Sequence, residues 1–180
     1  MRFMFAFSGL VLMGGLAFAA AKTGKAARVE LQPANGSNVR GEVTFLETDK
    51  GTKVIFNISG LAPKSVHGVH VHEKGRCEKP NFESAGGHFN PTGSMHGSEA
   101  SEHRHVGDFG NIVADKDGVA RKEILVPNLK LQGETSIVGR ALIVHAQADD
   151  LFSQPTGDSG DRIACGVIEA APTAPRELQR

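Results

Sequence analysis

The sequence predicts an all-β fold, a sandwich or barrel of about eight short strands. Three observations carry this. Apolar and polar residues alternate in short segments, the period of a strand with one buried face. Turn-forming residues separate those segments at close intervals, in a chain that holds 22 glycines and 8 prolines. No long stretch repeats apolar residues at helical spacing.

Taken in order, Arg28 to Leu31, Val39 to Leu46, Thr52 to Ile58 and Val66 to His72 read as the first four strands. Pro33-Ala34-Asn35-Gly36, Asp49-Lys50-Gly51 and Gly60-Leu61-Ala62-Pro63 break them, which suits consecutive antiparallel strands. Asn111 to Ala114 and Val119 to Val126 flank Asp115-Lys116-Asp117-Gly118, whose Asp-Gly is a strong hairpin signal. Ile137 to Ala146 and Ile163 to Ile168 complete the set.

Two stretches refuse the strand pattern, Glu73 to Asp108 and Asp149 to Asp161. Loops of this length inside a compact domain are functional or disordered. The first holds His88, His96, His103 and His105 and the second runs into Arg162, which favours function. From Ala170 the chain turns Pro- and Ala-rich, and residues 171–180 are expected to form a disordered tail.

A chain of 180 residues can bury one sizeable core, so residues 22–170 are expected to form a single domain. Twenty Lys and Arg balance twenty Asp and Glu, which argues against nucleic acid or an anionic membrane surface as partner. Arg2 followed by an apolar run from Phe3 to Ala20 reads as a signal peptide over residues 1–21, with cleavage after Ala19 or Ala21. A permanent anchor is the competing reading, because the run approaches the ~20 residues of a membrane span. Cys77 and Cys165 are an even number in a chain that reads as exported, which favours a disulfide over two buried thiols.

In Val69-His70-Val71-His72 the histidines share one face of a strand and the valines the other, so two imidazoles converge. His67 has the parity of the valines and reads as a hydrogen-bonded structural residue. A lone H-x-H is weak evidence; His88, His96, His105, Asp108 and His145 in its company raise it to a metal site. An all-histidine set suits copper, and a tetrahedral set with a carboxylate suits zinc. The strand residues His70, His72 and His145 fit the first. His96, His105 and Asp108, placed on the loop, fit the second, and His88 falls between.

His67-Gly68-Val69-His70-Val71-His72-Glu73, Gly86-Gly87-His88-Phe89-Asn90-Pro91, His105-Val106-Gly107-Asp108 and Gly139-Arg140-Ala141-Leu142-Ile143-Val144-His145 closely resemble copper/zinc superoxide dismutase, as does Arg162-Ile163-Ala164-Cys165-Gly166-Val167-Ile168. The likeness runs from Arg28 to Ile168. It implies an eight-stranded Greek-key β-barrel with two long functional loops. It also implies copper on His70, His72, His88 and His145, and structural zinc on His88, His96, His105 and Asp108. Cys77 and Cys165 match the family's disulfide, and Arg162 the arginine beside copper. Asp149 matches a carboxylate that links a copper ligand to a zinc ligand, here His70 and His96. His103 lacks the register of His105 with Val-Gly-Asp and reads as a solvated loop residue.

The implied reaction converts two superoxide anions and two protons into O2 and hydrogen peroxide as copper cycles between Cu(II) and Cu(I). His88 would carry a proton and Arg162 would hold the anion. The second loop departs from the family's longer forms, with no Lys or Arg and with Asp158 and Asp161 added. Lys74, Arg76, Lys79 and Arg104 of the first loop are candidates to attract the anion instead. A non-catalytic copper-binding or copper-delivery protein on the same fold is the alternative. Signal and disulfide together point to an exported protein of the exported bacterial type, periplasmic rather than extracellular, without a stable membrane partner once the signal is removed. The resemblance also makes a homodimer possible.

Overall fold

The structure is a computed structural model, and it describes residues 25–171. The predicted signal peptide therefore lies outside the described residues, as do residues 172–180 of the predicted tail. Nine strands are present among the described residues. They are β1 (Ala26–Pro33), β2 (Arg40–Thr48), β3 (Gly51–Ser59), β4 (Val66–His72), β5 (Asp108–Val113), β6 (Ala120–Val126), β7 (Ala141–His145), β8 (Arg162–Val167) and β9 (Glu169–Ala171). The helical content described is one 3-10 turn at Glu83–Ala85.

The strands lie in the order β5-β4-β7-β8-β1-β2-β3-β6, with β9 alongside β1. Every strand pairing is antiparallel. β1 belongs to both halves: Ala26 to Leu31 pair with β2, and Gln32 and Pro33 pair with β8. β6 returns to lie beside β3 while β4 and β5 pair on the far side, which is the Greek-key connection. The end strands β5 and β6 approach one another without a ladder, so the barrel nearly closes. Lys122 of β6 spans this seam, donating to the Asn111 carbonyl of β5 at 2.8 Å and pairing with Glu99 at 2.9 Å.

The two halves bury their faces differently. β3 alternates buried positions with half-buried or exposed ones, as expected of a sheet with one face toward water. In β4 every residue after Val66 is buried, and β7 is buried throughout. Their inner side chains, Val69, Val71, Leu142 and Val144, join Phe45, Phe56 and Phe109 in the barrel core. The outer side chains of β7 and β8, Ala141, Ile143 and Cys165, pack under Phe82 and Ala85 of the first loop in a separate small cluster. The long loops thus act as a second layer on one half of the barrel.

Three sequence expectations change. Ala171, assigned to the start of the tail, pairs with Ala26 of β1, next to the Ala170–Ala27 pair, because β1 extends beyond β8 and offers a free edge there. β7 begins at Ala141 rather than Ile137, since Gly139 at φ 81° and an Arg140 to Ile137 hydrogen bond turn the chain first. β5 starts at Asp108, so this residue belongs to a strand and sits opposite His70, not in the loop.

Candidate metal centre

The outer face of β4 carries His70 and His72, and the neighbouring strand β7 ends in His145. The first loop leaves β4 at Glu73, folds back, and bridges His72 with His88. Main-chain bonds from Phe89 to the Val71 carbonyl, at 2.7 Å, and from Val71 to the Gly107 carbonyl, at 2.8 Å, hold both loop ends against β4. One ring nitrogen from each of His70, His72, His88 and His145 lies within 4.8 Å of the others. The same holds for ligand atoms of His70, His88, His96 and Asp108. His105 joins this second group through Nδ1, 3.3 Å from Asp108 Oδ1. These residues are all at most 6% exposed, so water cannot satisfy their polar atoms.

Hydrogen-bond partners fix the ring tautomers. His72 Nδ1 donates to the Gly86 carbonyl at 2.9 Å, and His145 Nδ1 donates to the Gly160 carbonyl at 3.0 Å. Both Nε2 atoms are therefore bare, yet they face each other at 3.4 Å. Two lone pairs this close repel unless a cation lies by them. His70 Nε2 is 2.8 Å from Asp149 Oδ2, which leaves Nδ1 bare. His70 Nδ1 and His88 Nε2 are buried without a hydrogen-bond partner, while His96 Nδ1 and His105 Nδ1 converge on the Asp108 carboxylate at 3.0 Å and 3.3 Å. Each of the two unpartnered nitrogens, on His70 and His88, costs about 1–3 kcal/mol unless a ligand satisfies it. The arrangement fits metal ions, with a four-histidine set on one side and a carboxylate-containing set on the other.

His88 stands between the sets, with Nδ1 3.1 Å from Asp108 Oδ1 and Nε2 turned away from that carboxylate without a partner. Burial lowers its pKa to about 4, and burial lowers that of His145 to about 3, so both rings are neutral at pH 7. His72 is likewise held well below the usual histidine range by burial. His96 is different: burial opposes its charge, but hydrogen bonds to Asp108 and Asp149 outweigh this and raise its pKa to about 9. Burial also opposes the ionisation of Asp108, and contacts with His105, His88 and His96 overcome it, holding the carboxyl well below the usual range. Asp108 Oδ2 further accepts from the main chain of His105 at 3.0 Å and Gly97 at 3.2 Å, which curls the loop around it.

Asp149 links the two sets, bonding His70 through one oxygen and His96 through the other, the second at 2.9 Å. Arg162 donates from Nη1 to the Phe82 carbonyl and from Nη2 to the Gly86 carbonyl, each at 2.7 Å. Gly86 thus accepts from both Arg162 and His72. Cys77 and Cys165 form a disulfide with Cα atoms 5.7 Å apart, which ties this part of the first loop to β8. His67 bonds the His145 carbonyl at 2.8 Å and Ser65 Oγ at 2.6 Å, and His103 is exposed.

The family model for copper/zinc superoxide dismutase matches residues 39–168, most of the barrel and both loops. The chain belongs to the copper/zinc superoxide dismutase family. A copper/zinc superoxide dismutase of Paramecium bursaria Chlorella virus 1 is 46% identical over 136 residues, spanning 72% of this chain and 72% of that protein. One from Aquifex aeolicus is 42% identical over 135 residues, covering 72% of this chain and 79% of its own length. An extracellular copper/zinc superoxide dismutase of Brugia pahangi is 39% identical over 155 residues, covering 81% and 77% respectively. Among solved structures, a double mutant of a SOD-like protein from Bacillus subtilis has a TM-score of 0.71 at 38% identity, covering 78% of this chain and 95% of that one.

The fold brings His70, His72, His88, His96, His105, Asp108, His145 and Asp149 together and leaves His103 exposed outside the cluster, but the sequence is silent on several supports. The carbonyls of Gly86 and Gly160 orient His72 and His145, and main-chain acceptors leave no mark in a sequence. Asn111 exchanges two 2.8 Å bonds with the main chain of Asp149. Gln154 clamps the main chain of His96, at 2.8 Å and 2.9 Å. Neither amide stands in a pattern that announces a partner so far along the chain.

Proposed function

We propose that this chain is an exported superoxide dismutase that converts two superoxide anions and two protons into O2 and hydrogen peroxide. In this reading each chain carries one copper on His70, His72, His88 and His145, and one zinc on His88, His96, His105 and Asp108. The observation that carries it is His88: one buried ring offers a nitrogen to the Asp108 side and a bare nitrogen away from it, in reach of the other histidines. Bound copper supplies the one-electron acceptor and donor that the reaction needs, which redox-inert zinc does not.

The chain's own groups do the rest. Arg162 uses two of its five N–H donors on carbonyls, which aims the guanidinium and leaves donors for an anion. It stands near enough to His72 and His145 to help depress their protonation. His88 Nε2 takes up a proton in one half-reaction and yields it to the departing peroxide in the other. The exposed Asp158 and Asp161 give the second loop no attraction for superoxide, so that task falls to Arg162 with Lys74 and Lys79, both exposed. Arg104 is committed instead to the Glu99 and His105 carbonyls, and Arg76 to Glu78 at 3.3 Å.

The disulfide and the extracellular relative support export, and residues 1–21 act as the signal with residues 22–170 as the mature domain. The periplasm is the preferred compartment, and a homodimer the assembly the family suggests. The test is metal content and superoxide dismutation of the mature protein beside His88→Ala. One copper and one zinc per chain, with activity at least roughly a hundredfold lower in the variant, support the reading. Both sites filled with no dismutation in the wild type would instead make this a copper-binding or copper-delivery protein.

A further inference from the structure

Gln154 lies in the second loop, 58 residues from His96, with an exposed side chain. Its Oε1 accepts from the His96 main-chain N–H at 2.8 Å, while its Nε2 donates to the His96 carbonyl at 2.9 Å. The side-chain amide thus pairs with both polar groups of one residue as a strand neighbour would. Nε2 also reaches the Phe152 carbonyl at 3.0 Å, which fixes the amide to its own loop. The ring of the same histidine is held from the same loop by Asp149 Oδ1 at 2.9 Å. The backbone of Gly157 fits over that ring contact: a Cβ there would collide with Asp149 Oδ1 and His96 Nε2.

We propose that Gln154 is a positioning residue, holding the main chain of His96 from the second loop so that metal capture in the carboxylate-containing set and closure of that loop become one event. This rests on the reading of His96 as a zinc ligand. The ring of His96 can move only about its own side-chain bonds once Asp149 holds Nε2 and Gln154 holds the main chain. Its Nδ1 is then fixed 3.0 Å from Asp108 Oδ2 before any metal arrives. Conversely, a metal held by His96 Nδ1 is tied to the second loop through two separate attachments, the Asp149 bond to the ring and the Gln154 bonds to the main chain. Because Gln154 is exposed, shortening it removes hydrogen bonds without opening a cavity, so the barrel stays folded.

The test uses full-length mature protein, disulfide intact and stripped of metal, titrated with zinc and with cobalt as a spectroscopic stand-in. Amide hydrogen exchange of residues 149–157 is followed before and after zinc. Wild type, Gln154→Ala and Gln154→Glu are compared. The expected result is about tenfold weaker zinc binding in Gln154→Ala. The protection that zinc confers on residues 150–157 in wild type is expected to fall in the same variant. Gln154→Glu keeps the bulk but faces the His96 carbonyl with an oxygen, and should bind zinc no better than Gln154→Ala. Unchanged affinity and protection in Gln154→Ala overturn the proposal, as does wild-type affinity in Gln154→Glu. A wild-type protein that takes up neither zinc nor cobalt overturns the zinc reading itself, a result distinct from either.

Discussion

His96 sits between two carboxylates that both favour its charged form, while burial opposes it; the net result is a pKa of about 9. This gives the metal-free protein a pH dependence of definite sign. A histidine pKa raised above the unfolded value of about 6.5 adds stability that is complete below that pH and is lost as pH rises through about 9. A zinc ion on Nδ1 must displace the proton, so zinc affinity should climb about tenfold per pH unit from 7 toward 9 and then level off. His88 and His145, with pKa values near 4 and 3, are already neutral there and add no slope. Zinc titrations at pH 7, 8 and 9 check this, and a flat profile refutes a protonated His96. At this scale the sequence was readable where a side chain has a signature, as in the H-x-H of β4. Tautomers were not, because the acceptors that set them are the carbonyls of Gly86 and Gly160.

β4 and β7 serve two layers at once, with valine and leucine toward the barrel and histidine toward the loops. Strand alternation alone makes this arrangement legible in the sequence, since a period of two separates His70 and His72 from Val69 and Val71. The two loops were legible only as failures of that alternation; how they fold was not, because their bonds run between residues far apart in the chain. The second loop closes on itself through bonds from Gly157 to the Ser153 carbonyl at 2.7 Å and from Asp150 to the Gly157 carbonyl at 2.9 Å. Gly157 has φ 67° and no room for a Cβ, so Gly157→Ala both strains the backbone and pushes Asp149 off His96. We expect a loss of about 1–3 kcal/mol in urea unfolding of the metal-free protein. Zinc binding should weaken with it, and an unchanged midpoint with unchanged affinity would refute this account of the loop.

For the molecule as a whole, one covalent link holds the loop layer to the barrel. Cys77 and Cys165 stand 88 residues apart, and closing so long a loop is worth about 4.6 kcal/mol by the chain-entropy model. Replacing both by serine should lower Tm by roughly 10 °C. It should also loosen the Phe82 and Gly86 carbonyls that hold Arg162, so weakened anion binding is expected alongside; scanning calorimetry and inhibition by a small anion such as azide read the two effects. The class and eight of the nine strands could be foreseen because repeated turn signals and alternation report on them directly. The β9 pairing could not, since Glu169 to Ala171 carry no strand pattern and depend on an edge that only the folded β1 provides. The incomplete closure between β5 and β6 was equally hidden, and it matters beyond the single molecule. A sheet with two open borders invites strands of other chains to extend it. With the ammonium group of Lys122 set against the β5 main chain, any such addition must first bury or expel a charge, so the residue that joins the borders also guards this protein against templated aggregation.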